Sequence, residues 1–343
     1  MKKLLTLLPA LLAAPFASAS VTAVSPTVGG ETISIPASST ASLSLPLLHA
    51  SAGSGEMVGI ITGVGSNYID AANANWTAGA LSNTAIPYYI RIKTGASSGR
   101  IMLVSTTANT STRVFLSTDG VAPNSAGGVV PGDEYELVLA DTLSSLFGSS
   151  TLQGGPDINT ADNIWVWSST SWQIYYYNST RSEWERASDV TPTNRGNQVL
   201  RPDRGIMIVR NAPTALKFYV AGRVPDTAPR YFHSRPGVTF LSTGSPTAVT
   251  LGNLNLQNAV PGWTAGTNIA TALADADYLQ IWSSTSWLYY YYDSGYGHWR
   301  RTSDVTLSNR DTISIPTGRP IMIVRQGVTT GQNLILLPAP PST

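Results

Sequence analysis

The chain has 343 residues, 42% of them hydrophobic and 12% charged, with a formal net charge of +1 and no cysteine. That length gives room for two or three domains with cores of their own, and few charges among many β-branched and aromatic residues describe an ordered β protein, not a disordered one. A charge near zero excludes the basic field a nucleic-acid partner needs, and the missing cysteines exclude disulfides and thiolate metal sites.

Met1-Lys2-Lys3, an apolar stretch from Leu4 to Phe16 and the small residues Ala17-Ser18-Ala19 match a secretory signal peptide over 1–19, with Ser20 as the expected mature N-terminus. The apolar stretch is about 13 residues and is interrupted by Pro9 and Pro15, too short to span a bilayer. The mature protein is expected to be exported (periplasmic, outer surface or extracellular), without a membrane span. Losing Lys2 and Lys3 brings its charge to about −1.

Residues 20–55 read as N-terminal strands packing with the first repeat unit, with Thr32–Pro36 and Leu43–Pro46 as their extended parts. Residues 56–140 read as a small barrel-like β domain. Its expected strands are Met57–Thr62, Tyr68–Ala71, Tyr88–Lys93, Ile101–Thr106, Arg113–Ser117 and Tyr135–Leu139. Gly95–Gly99 has neither the Gly-Lys-Ser/Thr ending nor the following helix of a phosphate loop, so it reads as a hairpin loop. Thr142 followed by Leu143 and Leu146 predicts a capped helical turn, with a counterpart at Thr250, Leu251 and Leu254.

The rest of the chain is duplicated. A constant offset of 115 aligns Asp162–Arg210 with Asp277–Arg325 without a gap, and 25 of 49 positions are identical. This defines repeat unit 1 over 141–232 and repeat unit 2 over 233–343. Each copy carries Trp-Ser-Ser-Thr-Ser-Trp (Trp167–Trp172, Trp282–Trp287), three tyrosines and a closing Ile-Met-Ile-Val-Arg. Four small polar residues between tryptophans suit a hairpin loop that pairs Trp167 with Trp172 and Trp282 with Trp287. Alternation then puts Ile164, Val166, Tyr175 and Tyr177 on a core face. Trp165, Trp167, Trp172, Ile174 and Tyr176 share the other face, as do Gln280, Trp282, Trp287, Tyr289 and Tyr291.

Trp167, Trp172, Tyr176, Trp282, Trp287 and Tyr291 are therefore the candidate ligand-binding residues, offering broad apolar rings with polar edges on which sugars stack. The competing reading makes them cross-strand struts. Trp184 with Arg186, and Trp299 with Arg301, sit two apart on a strand and predict cation–π contacts. Asp189 and Asp304 read as turn formers.

No catalytic residue, metal site or cofactor is expected. His49, His233 and His298 lack metal-ligand spacing, no Gly-x-Ser-x-Gly elbow occurs, and Asp157-Ile158-Asn159 with Asp162, like Asp275 with Asp277, lacks the glycine and distal glutamate of a calcium loop. Asp189 and Asp304, one per unit, suit binding better than a two-acid glycosidase site.

The duplicated Trp/Tyr unit, ending in Pro-x-Gly-Arg-Pro-Ile-Met-Ile-Val-Arg, resembles an uncharacterised family of exported bacterial all-β proteins. So does the Tyr88–Arg100 stretch with its later Pro131–Tyr135. The resemblance implies export and an all-β fold and carries no activity. The expected architecture is two related β-sandwich-like units with the barrel-like domain inserted near the N-terminus. The expected function is a secreted or cell-surface-associated, non-catalytic structural or adhesive protein. The alternatives are a glycan-binding module using the repeated aromatics and, behind it, a carbohydrate-active enzyme. The partners these readings imply are polysaccharide or cell-envelope and matrix material, and nothing in the sequence fixes an oligomeric state.

Overall fold

A computed structural model describes residues 28–45, 47–49, 57–117, 121–125, 127–168, 170–225, 230–234, 236–245, 247–260, 262–326 and 333–337. The expected signal peptide and Ser20 lie outside them. The chain is 40% strand against 5% helix, which makes it all-β. Among the described residues every strand ladder is antiparallel.

Strands β1 (Val28–Ile35), β2 (Thr40–Ser44) and β3 (Leu48–His49) open the chain. Next come β4 (Met57–Ile60), β5 (Gly63–Val64), β6 (Tyr68–Asp70), β7 (Tyr88–Ile92), β8 (Ile101–Val104), β9 (Arg113–Ser117) and β10 (Glu134–Leu139). These seven form one sheet in the order β4-β10-β7-β8-β9-β6-β5. Alternation drives it: in β9, Val114 and Leu116 are buried while their neighbours face outward. Ile61, Ile69, Trp76, Ile90 and Leu137 belong to the buried cluster this sheet carries. The expected barrel is not closed by a ladder. The two end strands are successive pieces of one segment, and a bend at Ile61 and Thr62 carries the chain from one edge to the other. There Ile61 N–H donates to the Asp133 carbonyl (2.8 Å) and Thr62 N–H to that of Asp70 (2.7 Å).

The short helix α1 (Leu143–Phe147) follows, capped reciprocally by Thr142 and Ser145. Then come β11 (Asn163–Trp167), β12 (Trp172–Asn178), β13 (Glu183–Arg186), β14 (Gly205–Val209) and β15 (Leu216–Arg223). The first five-stranded sheet runs β13-β12-β11-β14-β2, so the N-terminal β2 supplies its edge. A second layer, β1-β15-β3, covers it together with α1. Ile35, Leu43, Phe147, Ile164, Ile206 and Ile208 meet between them.

The remaining elements are β16 (Arg230–Ser234), β17 (Gly237–Ser242), β18 (Val249–Thr250), α2 (Leu256–Ala259), α3 (Ala272–Asp275), β19 (Tyr278–Trp282), β20 (Trp287–Asp293), β21 (His298–Arg301), β22 (Ser314–Ile315), β23 (Pro320–Arg325) and β24 (Asn333–Leu337). The second five-stranded sheet, β17-β23-β19-β20-β21, repeats the order of the first with β17 in the place of β2. Its core is Leu251, Leu254, Leu279, Ile321 and Ile323. The turn at 251–254, α2 and the two-stranded β18-β22 ribbon pack on it, and the two-stranded β16-β24 sheet, placed in the chain as β1-β15 is in the first unit, lies beside α2. At that turn Asn253 N–H donates to Thr250 Oγ1 at 3.2 Å.

The first and last residues of each repeat clasp one another. Asp162 pairs with Arg210, and Asp277 Oδ2 accepts from Arg325 Nε at 2.9 Å, with both carboxylates fully buried. Each also accepts from the backbone just past its arginine, at Asn211 N and Gln326 N (2.8 Å in both). A buried charge demands this full set of partners.

Candidate functional site

The two hairpins adopt the register that the tryptophan spacing predicts, Trp167 opposite Trp172 and Trp282 opposite Trp287. The loops are alike. Ser168 and Ser283 donate N–H to the carbonyls of Ser171 and Ser286 (3.0 and 2.9 Å), and their hydroxyls reach the same carbonyls. Within each pair the rings stand edge to face, centroids 5.1 and 5.2 Å apart.

These rings lie where the two sheets meet. Trp165, Trp167 and Trp172 from one unit pack with Tyr278, Trp282 and Trp287 from the other around Met207, Phe240, Met322 and Val324. Phe240 sits at the centre, 5.5 Å from Trp172 and 6.0 Å from Trp287. The contacts are reciprocal. Trp167 Nε1 donates to the Val238 carbonyl (3.0 Å), and Trp282 Nε1 donates to that of Thr40 (2.9 Å). Thr40 and Val238 are equivalent, because each faces the same valine of the repeat (Val209, Val324). Ser242 N–H donates to Asp203 O (3.2 Å) and its counterpart Ser44 N–H to Gly318 O (2.7 Å). The two units thus join through an isologous, pseudo-two-fold seam.

All four candidate tryptophans are half-buried in this seam. Tyr176 and Tyr291 lie deeper, at 9% and 0% exposure, and burial raises both phenols above their ordinary range. Tyr176 donates to Glu185 Oε2 at 2.7 Å.

The expected stacks of Arg186 on Trp184 and of Arg301 on Trp299 do not form. Trp184 is buried against Phe147 and Tyr177 and donates to Gly148 O at 3.0 Å. Arg186 Nε instead donates to Asp189 Oδ1 at 2.7 Å, because a carboxylate outbids a ring face. Among the described residues, the cations over rings are Arg113 on Tyr68 (3.7 Å) and Arg300 on Tyr296 (4.9 Å) and Tyr291 (6.0 Å).

Asp189 and Asp304 do more than form turns. Asp189 takes both Arg186 and Arg195, and the Arg195 hydrogen bond lowers its pKa. Asp304 takes Thr306 and Arg310 and is pushed down to about 2. Carboxylates held ionised in this way are poor proton donors at neutral pH. Asp157 accepts from Asn159 N–H, Thr160 N–H and the Thr160 hydroxyl, an Asx turn. Among the described residues no group of three His, Asp or Glu side chains could hold a metal ion, and no helix is long and apolar enough to cross a membrane.

Sequence reasoning missed a cleft of about 260 Å³ beside the seam. Glu31, Ser42 and Ser44 line it from the N-terminal strands, Trp282, Gly318 and Arg319 from the second unit. Ser42 occupies the position equivalent to Phe240, since each faces a repeat methionine (Met207, Met322). A hydroxymethyl group where the other unit has a phenyl ring leaves room open. The Ser42 and Ser44 hydroxyls are buried without a hydrogen-bond partner. Gly318 (φ 72°) lets the Glu31 carboxylate lie against the backbone, where a Cβ would stand 2.8 Å from both of its oxygens. Burial raises the pKa of Glu31. Exchange of a ring for a hydroxyl would have been the signal, but β2 and β17 fall outside the gapless repeat and cannot be aligned before the ladders are known.

No protein-family model and no curated protein matches the chain. The comparisons thus identify no family or homologue behind the resemblance of its motifs.

Proposed function

We propose that the protein is an exported, non-catalytic structural or adhesive component of the cell surface. The observation that supports this reading best is the seam. The repeated aromatics, the richest candidate binding surface in the sequence, pack one unit against its twin and commit the Trp167 and Trp282 indole N–H groups to backbone carbonyls. Low charge and buried arginine–carboxylate clasps suit a rigid body of this kind. Fractionation of cells making the full chain tests it. Protein beginning at Ser20, recovered from the envelope or medium and retained on isolated envelope material without releasing reducing ends, is the expected result. Cytosolic protein retaining Met1, or release of reducing ends, overturns it.

A second reading, glycan binding on the repeated aromatics, is favoured by the exposure that the four tryptophans keep. Trp172→Ala combined with Trp287→Ala separates the two. Struts give a loss of several kcal/mol in chemical denaturation, at a scale of roughly 3–5 kcal/mol for emptying one core Trp site. A stacking platform gives lost polysaccharide retention with the thermal midpoint nearly intact.

A further inference from the structure

The cleft beside the seam is built differently from its surroundings. At its pseudo-symmetric counterpart Phe240 fills the space, so tightly that a Cβ on Gly205 would lie 2.7 Å from its ring. The counterpart of Ser44 is also satisfied: Ser242 Oγ accepts from Gly244 N–H at 2.9 Å. On the cleft side the Ser42 and Ser44 hydroxyls, 7% and 1% exposed as residues, have no partner. Two orphan hydroxyls on one short strand require a reason, because a buried hydroxyl without a partner is destabilising.

We infer that this cleft binds one pyranose ring of a glycan, with the Glu31 carboxylate accepting from ring hydroxyls, Ser42 and Ser44 completing the hydrogen bonds, and Trp282 supplying the apolar wall. Each part of the lining meets a feature of a sugar. A hydroxyl both donates and accepts, so serine and sugar hydroxyls satisfy each other in either sense. An ionised carboxylate accepts from two donors and forms the stronger, charge-assisted hydrogen bonds. Indole matches the apolar C–H face of a ring. Arg319, whose Nη1 donates to Trp282 O at 2.6 Å, sets a positive group in the same lining as Glu31, so the cleft suits a neutral ligand over a cation. At about 260 Å³ it lies just under the roughly 300 Å³ at which pockets for drug-sized ligands begin, which fits one ring and not an enclosed chain. The site lies where Ser42 stands in place of its counterpart Phe240, and it takes its wall from one of the repeated aromatics, Trp282.

Saturation-transfer NMR on the full chain, with the methyl glycosides of glucose, galactose, mannose and N-acetylglucosamine, tests this, with arginine amide as the cationic control. At least one glycoside should receive saturation. Its affinity should fall about tenfold or more in Glu31→Gln, the loss of one hydrogen bond to a charged group. The Ser42→Ala, Ser44→Ala double variant should lose affinity likewise, while its thermal midpoint stays level or rises because orphan hydroxyls are removed. Transfer to none of the four glycosides, binding that survives both variants, or binding of arginine amide in their place overturns the inference. Export and adhesion are read by fractionation, so either conclusion can fail without the other.

Discussion

His49 Nδ1 lies 2.7 Å from Asp141 Oδ1, tying the end of β3 to the segment that leads into α1. The hydrogen bond to Asp141 raises the histidine's pKa above 6.5, against a smaller opposing effect of burial. A group whose pKa is raised on folding binds its proton more tightly in the native state. Its contribution is therefore complete below the unfolded value and disappears as pH rises through the folded one. The wild-type thermal midpoint should thus fall relative to that of Asp141→Asn as pH rises from about 6.5; parallel midpoints between pH 5 and 9 would show the pair to be inert. Close by, Glu136 is fully buried and joins two arginines, Arg91 across its own sheet and Arg223 on β15 at 3.0 Å. One carboxylate thereby fixes the seven-stranded sheet to the first repeat, assisted by apolar packing of Leu48, Tyr89, Ile101 and Val138. Replacing Glu136 by Ala leaves two buried guanidinium groups without it and should cost at least the roughly 3–5 kcal/mol typical of a broken buried pair, measured by urea denaturation.

At the scale of the hairpin, the two repeats hold the same joint with the charges exchanged. In the first, Glu185 on β13 accepts from Tyr176 and Asn178 and pairs with Arg181. In the second, the equivalent residue is Arg300, and it pairs with Asp293 at 2.5 Å beside Tyr291 and Tyr296. Sequence alone shows three scattered differences at these positions (Asn178/Asp293, Arg181/Tyr296 and Glu185/Arg300); the ladder shows one coordinated inversion of sign. Asp293→Ala should therefore cost about 3–5 kcal/mol by leaving Arg300 buried without its carboxylate. Transplanting the first unit's set (Asp293→Asn, Tyr296→Arg, Arg300→Glu) should recover most of that in the same denaturation experiment. A triple variant no more stable than Asp293→Ala would show that the two arrangements are not interchangeable. Strands and registers of this kind were largely legible beforehand. Arg113–Ser117 reads as a strand because its buried residues alternate, and the hairpin register follows from tryptophans flanking a four-residue loop. What covers each face was not legible. The repeat hairpins are apolar on both sides, so a period of two shows that both sides are covered without naming the partner. The cover comes from far along the chain: β2 reaches β14 across the whole inserted sheet, and Phe240 lies outside the aligned repeat.

Across the whole molecule, duplication has produced an internal dimer. Equivalent edge strands, β2 and β17, exchange equivalent hydrogen bonds with the opposite unit, as in an isologous interface between two subunits, but here a single chain supplies both halves. Such a joint needs no assembly step and makes the stability of each unit depend on the other. Phe240 is where that dependence concentrates, being 1% exposed and in ring contact with a tryptophan of each hairpin. Phe240→Ala should lower stability by roughly 3–5 kcal/mol, the scale for emptying a buried aromatic site. Its second effect distinguishes the seam from an ordinary core. A truncation inside one unit lowers the stability of a pair that still melts together, whereas loss of the seam uncouples two bodies that each retain a core of their own. Calorimetry of Phe240→Ala should show a broadened or divided transition where the wild type shows the two units melting together. Leu279→Ala, a truncation of similar severity in the core of the second unit, serves as the control, and it should lower the midpoint without dividing the coupled transition. Divided melting in Leu279→Ala but not in Phe240→Ala would place the coupling elsewhere than in the aromatic seam.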